Sequence, residues 1–245
     1  MYNEAHRVLL TYIRSIKSIS QQDLLDAFVL ICQKLPNVEN QQPTLNLLNQ
    51  YISDINLEIS QQGFKIERKN DEIDGILYYI FINTIVDDLM KENTAYNISE
   101  LISIKSIIEE IIESSTDNFL FSANKSTILQ LISNHSKKST ADSDLFLMKL
   151  VDDGWFQITF NDDVILSIRG LCELKQYLID GFGYLQDGGK LLNCKLCNEF
   201  VTMGFFNPET EEAFHKKCYE VYCRNNDLPN HHSSLKRVGP DPSSL

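Results

Sequence analysis

The chain has 245 residues, a formal net charge of −12, 43% hydrophobic and 23% charged residues, which is ordinary for a folded protein with an apolar core. Its longest apolar run, residues 76–82, falls far short of the roughly 20 residues of a membrane-spanning helix. The acidic balance argues against a protein that gains its affinity by neutralising phosphates, so the default partner is another protein.

Val8, Leu9, Tyr12, Ile13 and Ile16 recur at helical spacing with polar residues between them. No small-residue cleavage site follows, so this segment reads as an amphipathic helix rather than a secretory signal. Ser20 is placed to cap a second helix bearing Leu24, Leu25, Phe28, Cys32 and Leu35, which Pro36 ends. Thr44 can cap a third, with Leu45, Leu48, Ile52, Ile55 and Ile59 on one face and Gly63 as its stop. Residues 64–68 and 76–82, around a turn-like stretch at 70–75, predict a two-stranded hairpin. Three helices and a hairpin make a winged-helix domain, expected over residues 1–94.

The same order recurs over residues 98–181. Ser99 is read as the cap of a helix through Leu101, Ile104, Ile108 and Ile112. A short helix at 127–133 and another at 142–151 follow, the latter closed by Gly154. Residues 155–160, with Phe156, Ile158 and Phe160 alternating, predict a strand, Asn161, Asp162 and Asp163 its turn, and 164–168 the return strand. One helix through Leu171, Leu174, Leu178 and Ile179 completes the second winged helix. The fold class is therefore mostly α with small β hairpins (α+β): tandem winged-helix domains followed by a small cysteine-bearing module over 190–232. Residues 181–189 hold four of the ten glycines and read as a flexible joint, so the module is expected to fold independently. Residues 233–245 are expected to be a disordered tail.

Six cysteines are present, and Cys32 and Cys172 sit among apolar residues as small buried hydrophobes. Cys194, Cys197, Cys218 and Cys223 cluster near the end, as in a disulfide framework of a secreted protein or a metal site of an intracellular one; without a secretory signal, metal is favoured. Cys194 and Cys197 form one short ligand pair, His215 and Cys218 another, with 17 residues between the pairs. Two residues between ligands let one tight turn offer both to a single ion, and zinc takes four such ligands in a tetrahedron. A redox thiol pair at Cys194 and Cys197 would call for a preceding strand, where a glycine-rich stretch stands. About 45 residues bury too little surface to fold unaided, and structural zinc supplies roughly 10–16 kcal/mol.

On the stretch LVDDGWFQITFNDDVILSIRGLCELKQYL and the motif FHKKC, the chain resembles non-structural maintenance of chromosomes element 1, the RING-like subunit of the structural maintenance of chromosomes complex of the five/six type. The resemblance implies a module of eight ligands on two zincs, of which the first site matches Cys194, Cys197, His215 and Cys218. The second is incomplete: its cysteines would fall near Asn207, Thr210, Leu228 and His231. One zinc is thus expected. A rearranged site from Cys223, His231, His232 and a carboxylate such as Glu209 is the alternative to a packing thiol and solvated histidines. The resemblance further implies a melanoma-antigen-type partner, a kleisin partner, a nuclear location, and a role in DNA repair and recombination. It also implies RING-type ubiquitin ligase activity, weakened or partner-dependent because the second site is missing. Leu196 falls where RINGs present an apolar contact to a ubiquitin-conjugating enzyme, or else packs locally.

The alternative is a winged-helix DNA-binding regulator with an accessory zinc knuckle. Third helices of winged helices enter the major groove with Arg and Lys. Residues 44–60 contain neither, and residues 140–153 set Lys149 against Asp142, Asp144, Asp152 and Asp153. Lys65, Arg68 and Lys69 on the first hairpin are the remaining candidates for phosphate contact. Little DNA binding by the chain alone is expected.

Overall fold

The computed structural model describes residues 2–35, 42–84, 96–114, 118–227, 234–241 and 243. The chain divides into two compact units, Met1–Asp71 with Ile76–Val86, and Glu72–Gly75 with Asp87–Leu245. Among the described residues no helix is long and apolar enough to cross a membrane.

The first unit runs α1 (Glu4–Ile16), β1 (Ser18–Ser20), α2 (Gln21–Lys34), α3 (Leu45–Ile59), β2 (Phe64–Asn70) and β3 (Leu77–Asn83). Ser20 and Thr44 cap α2 and α3 by accepting from the backbone amides of Asp23 and Leu47, and each meets an amide that the first turn leaves unpaired. Leu9, Ile13, Leu24, Phe28, Leu48 and Ile55 are fully buried and, with Ile66 and Tyr79 from the sheet, form one core. The sheet is antiparallel in the order β1-β3-β2, the topology of a winged helix. Asn56 of α3 closes the outer edge of β2, its amide donating to the Ile66 carbonyl at 2.9 Å and its oxygen accepting the Ile66 amide at 2.7 Å. An edge capped this way cannot recruit a foreign strand there.

The second unit repeats the order with α4 (Ile98–Glu113), β4 (Ala123–Asn124), α5 (Lys125–Ser136), α6 (Thr140–Asp152), β5 (Phe156–Ile158) and β6 (Asp163–Leu166), its strands ordered β4-β6-β5. The short strands β1 and β4, absent from the sequence reading, complete the two sheets. The cap of α4 is Asn97 rather than Ser99. Asn97 accepts the Glu100 amide at 2.9 Å while the Glu100 carboxylate accepts the Asn97 amide at 3.0 Å, a reciprocal closure that starts the helix earlier. The predicted strand at 155–160 ends at Ile158. The turn begins with the Asp162 amide donating to the Thr159 carbonyl, which sends Phe160 into solvent at 84% exposure.

The single helix expected near Leu171 is two, α7 (Ile168–Glu173) and α8 (Lys175–Phe182), broken at Leu174. Gly170 sits in α7 where a side-chain carbon would meet the Trp155 carbonyl oxygen at 2.4 Å, so only glycine lets α7 lie this close to Trp155.

Residues 181–189 are not a loose joint. The Lys190 amide donates to the Phe182 carbonyl at 3.0 Å, the Leu191 amide to Gly183 at 2.9 Å, and the Leu185 amide to Leu191 at 2.8 Å. Gly189 packs on the Gly183 backbone, where a side-chain carbon would sit 2.3 Å from the Gly183 carbonyl carbon. The glycines permit a closed turn, which delivers the following segment directly onto the second winged helix.

That segment contains β7 (Gly204–Asn207), β8 (Glu212–Phe214), α9 (Lys216–Asn225) and β9 (Lys236–Val238), with strands ordered β8-β7-β9. Leu191, Leu192, Phe200, Val201, Phe206 and Ala213 share a single buried cluster with Ile104, Ile108, Leu147, Leu171 and Leu178. The module and the second winged helix thus share one apolar core, where the sequence reading expected two separate ones. Within the tail expected to be disordered, Lys236–Val238 pair with β7 and Val238 is 1% exposed, because β7 offers an unpaired edge that β9 covers.

Candidate metal centre

Cys194 and Cys197 stand on a tight turn. The Cys194 amide donates to the Glu199 carbonyl at 2.8 Å, and the Asn198 amide returns to the Cys194 carbonyl at 2.8 Å. Asn198 takes the left-handed conformation this reversal needs, with φ 59°, which an asparagine tolerates better than most residues. The Lys195 amide bonds the Ala213 carbonyl at 2.9 Å, tying the turn to β8 one residue before Phe214 and His215. His215 is the N-cap residue of α9, and Cys218 lies in that helix's first turn. A spacing of three puts both side chains on one face of the helix. The positive end of the helix dipole also favours a thiolate there.

The ligand atoms of Cys194, Cys197, His215 and Cys218 all lie within 4.8 Å of one another. His215 Nδ1 is 3.4 Å from Cys197 Sγ and 3.8 Å from Cys218 Sγ. A tetrahedral zinc with bonds of about 2.3 Å to sulfur and about 2.0 Å to nitrogen spaces its ligands roughly 3.5–3.8 Å apart. The donor set fits, and so do the two distances from Nδ1 to the sulfurs of Cys197 and Cys218. Three sulfurs and one imidazole are a soft set that selects zinc over magnesium or calcium. The Cys194 thiol is pulled far below its ordinary range, first by the hydrogen bond with Cys197 and then, against burial, by that with His215. Cys194 is fully buried, Cys197 exposed and Cys218 half-buried.

The second nitrogen of His215 faces inward. Nε2 lies 2.6 Å from the Phe200 carbonyl oxygen and 3.0 Å from Glu72 Oε1. Glu72 belongs to the second unit and was not read from the sequence. It sits in a turn 143 residues before His215, and nothing in its neighbourhood marks it.

Elsewhere the second family site has no counterpart among the described residues. Asn207 Oδ1 accepts the Glu209 amide at 3.0 Å and so closes the turn after β7 by a hydrogen bond. Glu209 is exposed, and Cys223 is buried in α9 outside the four-residue cluster. His231 and His232 lie outside the described residues.

The candidates for phosphate contact on β2 form no open cationic row. Lys65 pairs with Glu67 at 3.1 Å and Lys69 is 8% exposed, while Arg68 reaches Asn49 at 3.5 Å. Lys149 of α6 stands over the Tyr96 ring, 4.8 Å from its centroid.

Comparison with known proteins places this architecture. A family model described as the Nse1 non-SMC component of the SMC5-6 complex matches residues 6–174 and ends before Cys194. The non-structural maintenance of chromosomes element 1 homolog of Xenopus tropicalis is 25% identical over 248 residues, covering 99% of this chain and 87% of that protein. The Homo sapiens homolog is 25% identical over 194 residues, covering 78% of this chain and 69% of its own length. A chain of a solved structure described as the Nse1-Nse3-Nse4 complex superposes with a TM-score of 0.76 at 20% identity, over 91% of this chain and 92% of that one. The likeness in structure shows a shared fold. With its match spanning more than half of the residues, the chain belongs to the family of the Nse1 non-SMC component of the SMC5-6 complex.

Proposed function

We propose that this protein is the zinc-bearing, RING-like subunit of an SMC5-6 complex, acting in the nucleus in DNA repair and recombination. In this reading it docks a melanoma-antigen-type Nse3 subunit and a kleisin Nse4 subunit. The observation that carries the reading is the four-ligand cluster on a fold shared, over 91% of the chain, with a chain of the Nse1-Nse3-Nse4 complex. Zinc bound by Cys194, Cys197, His215 and Cys218 would supply a cross-link, because four protein ligands leave no open position for a reacting water.

Any ligase activity would then be a matter of positioning. A RING forms no covalent intermediate and holds the charged conjugating enzyme in a reactive geometry, so looseness in its surface lowers the rate directly. Leu196 is 42% exposed between the first two ligands, which supports its reading as the apolar contact for that enzyme. With one metal in place of two, the chain alone is a weak ligase whose activity rises with its partners. The absence of Lys and Arg from α3 supports little DNA binding by the chain alone.

Co-expression with Nse3-type and Nse4-type subunits from the same organism tests the reading. The expected result is one ternary assembly with one copy of each chain. Elution of this chain apart from both, while properly folded and metal-loaded, would overturn it.

A further inference from the structure

A histidine that ligates a metal through one nitrogen is held in place by the bond its other nitrogen makes. In His215 the ligand nitrogen is Nδ1, so Nε2 carries the proton and donates. One acceptor is the Phe200 carbonyl at 2.6 Å, brought close because Asn193 bridges to Phe200 beneath the Cys194 turn. The other is the Glu72 carboxylate at 3.0 Å, and its presence needs a separate reason.

Burying a carboxylate is costly unless its oxygens are met by donors. The Glu72 side chain is 5% exposed. Its Oε2 accepts the Thr202 hydroxyl at 2.5 Å and the Thr202 amide at 3.2 Å; the same amide lies 3.3 Å from Oε1. The carboxylate therefore clamps two things at once: the imidazole of His215, and the backbone that follows Phe200 and the fully buried Val201. An ion on Nδ1 withdraws density from the ring and makes Nε2–H a stronger donor. A carboxylate facing that proton thus stabilises the loaded centre more than the empty one.

We propose that Glu72 is a positioning residue of the metal centre, fixing the His215 ring with Nδ1 toward the ion and raising the affinity for zinc. This rests on the reading that Cys194, Cys197, His215 and Cys218 hold zinc.

The test uses the full chain and zinc alone, with affinity measured by competition against a chromophoric chelator. Wild type should take up one zinc, and failure to do so sinks the zinc reading itself, whatever Glu72 does. Glu72→Ala should bind zinc about 10–100-fold more weakly, the usual effect of losing such a partner, and Glu72→Gln should recover part of the loss because its amide oxygen still accepts. The cobalt-substituted protein should show shifted visible bands in Glu72→Ala, since a mobile imidazole alters the ligand field. A carboxylate that only props up the chain would lower the melting temperature and leave both affinity and bands unmoved. That result in folded Glu72→Ala overturns the proposal. Where Glu72→Ala does not unfold cooperatively, Glu72→Gln carries the test: a severalfold loss of affinity supports the proposal, and wild-type affinity overturns it.

Discussion

His215 Nε2 lies 2.6 Å from the carbonyl oxygen of Phe200, which leaves Nδ1 facing Cys197 and Cys218. A residue of the apolar core thus holds a metal ligand through its backbone, and Phe200 is 2% exposed in the same cluster as Leu171 and Leu178. The metal centre and the second winged helix share their support, and this coupling shapes the behaviour expected of both.

Elemental analysis of the purified chain should give close to one zinc. Cys194→Ser and Cys218→Ser should lower that value sharply, and Cys223→Ala should not, because Cys223 stands outside the cluster. A content near two in wild type, lost with Cys223→Ala, would show a second site.

Chelation or truncation should destabilise the second unit rather than release a spare module. A chain ending at Gln186 lacks Leu191, Leu192, Phe200, Val201 and Phe206, all buried against residues of the second winged helix. Each large apolar side chain removed from a core costs about 2–5 kcal/mol, so five together rival the whole stability of an ordinary domain, about 5–15 kcal/mol. Calorimetry should show the second unit's transition abolished. A truncated chain that keeps it would show that the shared core is dispensable.

Tyr96→Phe should cost about 1–3 kcal/mol, read as a shift in the urea midpoint of the second unit. The Tyr96 hydroxyl donates to Asp153 at 2.6 Å and accepts from the Trp155 indole at 3.1 Å, so the substitution removes the acceptor from a buried donor. Burial first, and then Asp153, pushes the phenol well above its ordinary range; it stays neutral at any working pH, and the loss should not vary between pH 6 and 9.

His6 should make the first unit sensitive to mild acid. It is 2% exposed and stacked on Tyr51 with ring centroids 3.9 Å apart. Burial holds its imidazole below the ordinary range, and Asp54, 3.4 Å away but poorly aligned for a hydrogen bond, offsets this only in part. In the unfolded chain His6 takes up a proton as pH falls through about 6.5 while the folded form stays neutral. The unfolded state then binds more protons, so stability is present above pH 6.5 and declines below it until the folded group titrates too. A nuclear magnetic resonance titration should place His6 below 6.5; a value above it would reverse the sign.

What the sequence determined by itself is what depends on residues three or four apart. Ser20 and Thr44 cap their helices, the His215 and Cys218 pair shares one helical turn, and third helices poor in cations discourage a groove reader; each follows from local spacing. Tertiary structure decided the rest. The three-residue strand β1 exists because β3, some sixty residues on, pairs with it as Ser18 with Ile80. Residues 181–189 look like a joint by composition, and their backbone hydrogen bonds fold them into a closed turn. Glu72 carries no motif, and only the folded chain sets it 3.0 Å from His215 across 143 residues of sequence. The physical reason is common to all three. A cap or a ligand pair is selected by its own turn, whereas a distant contact is selected by the packing of everything between, which no local pattern records.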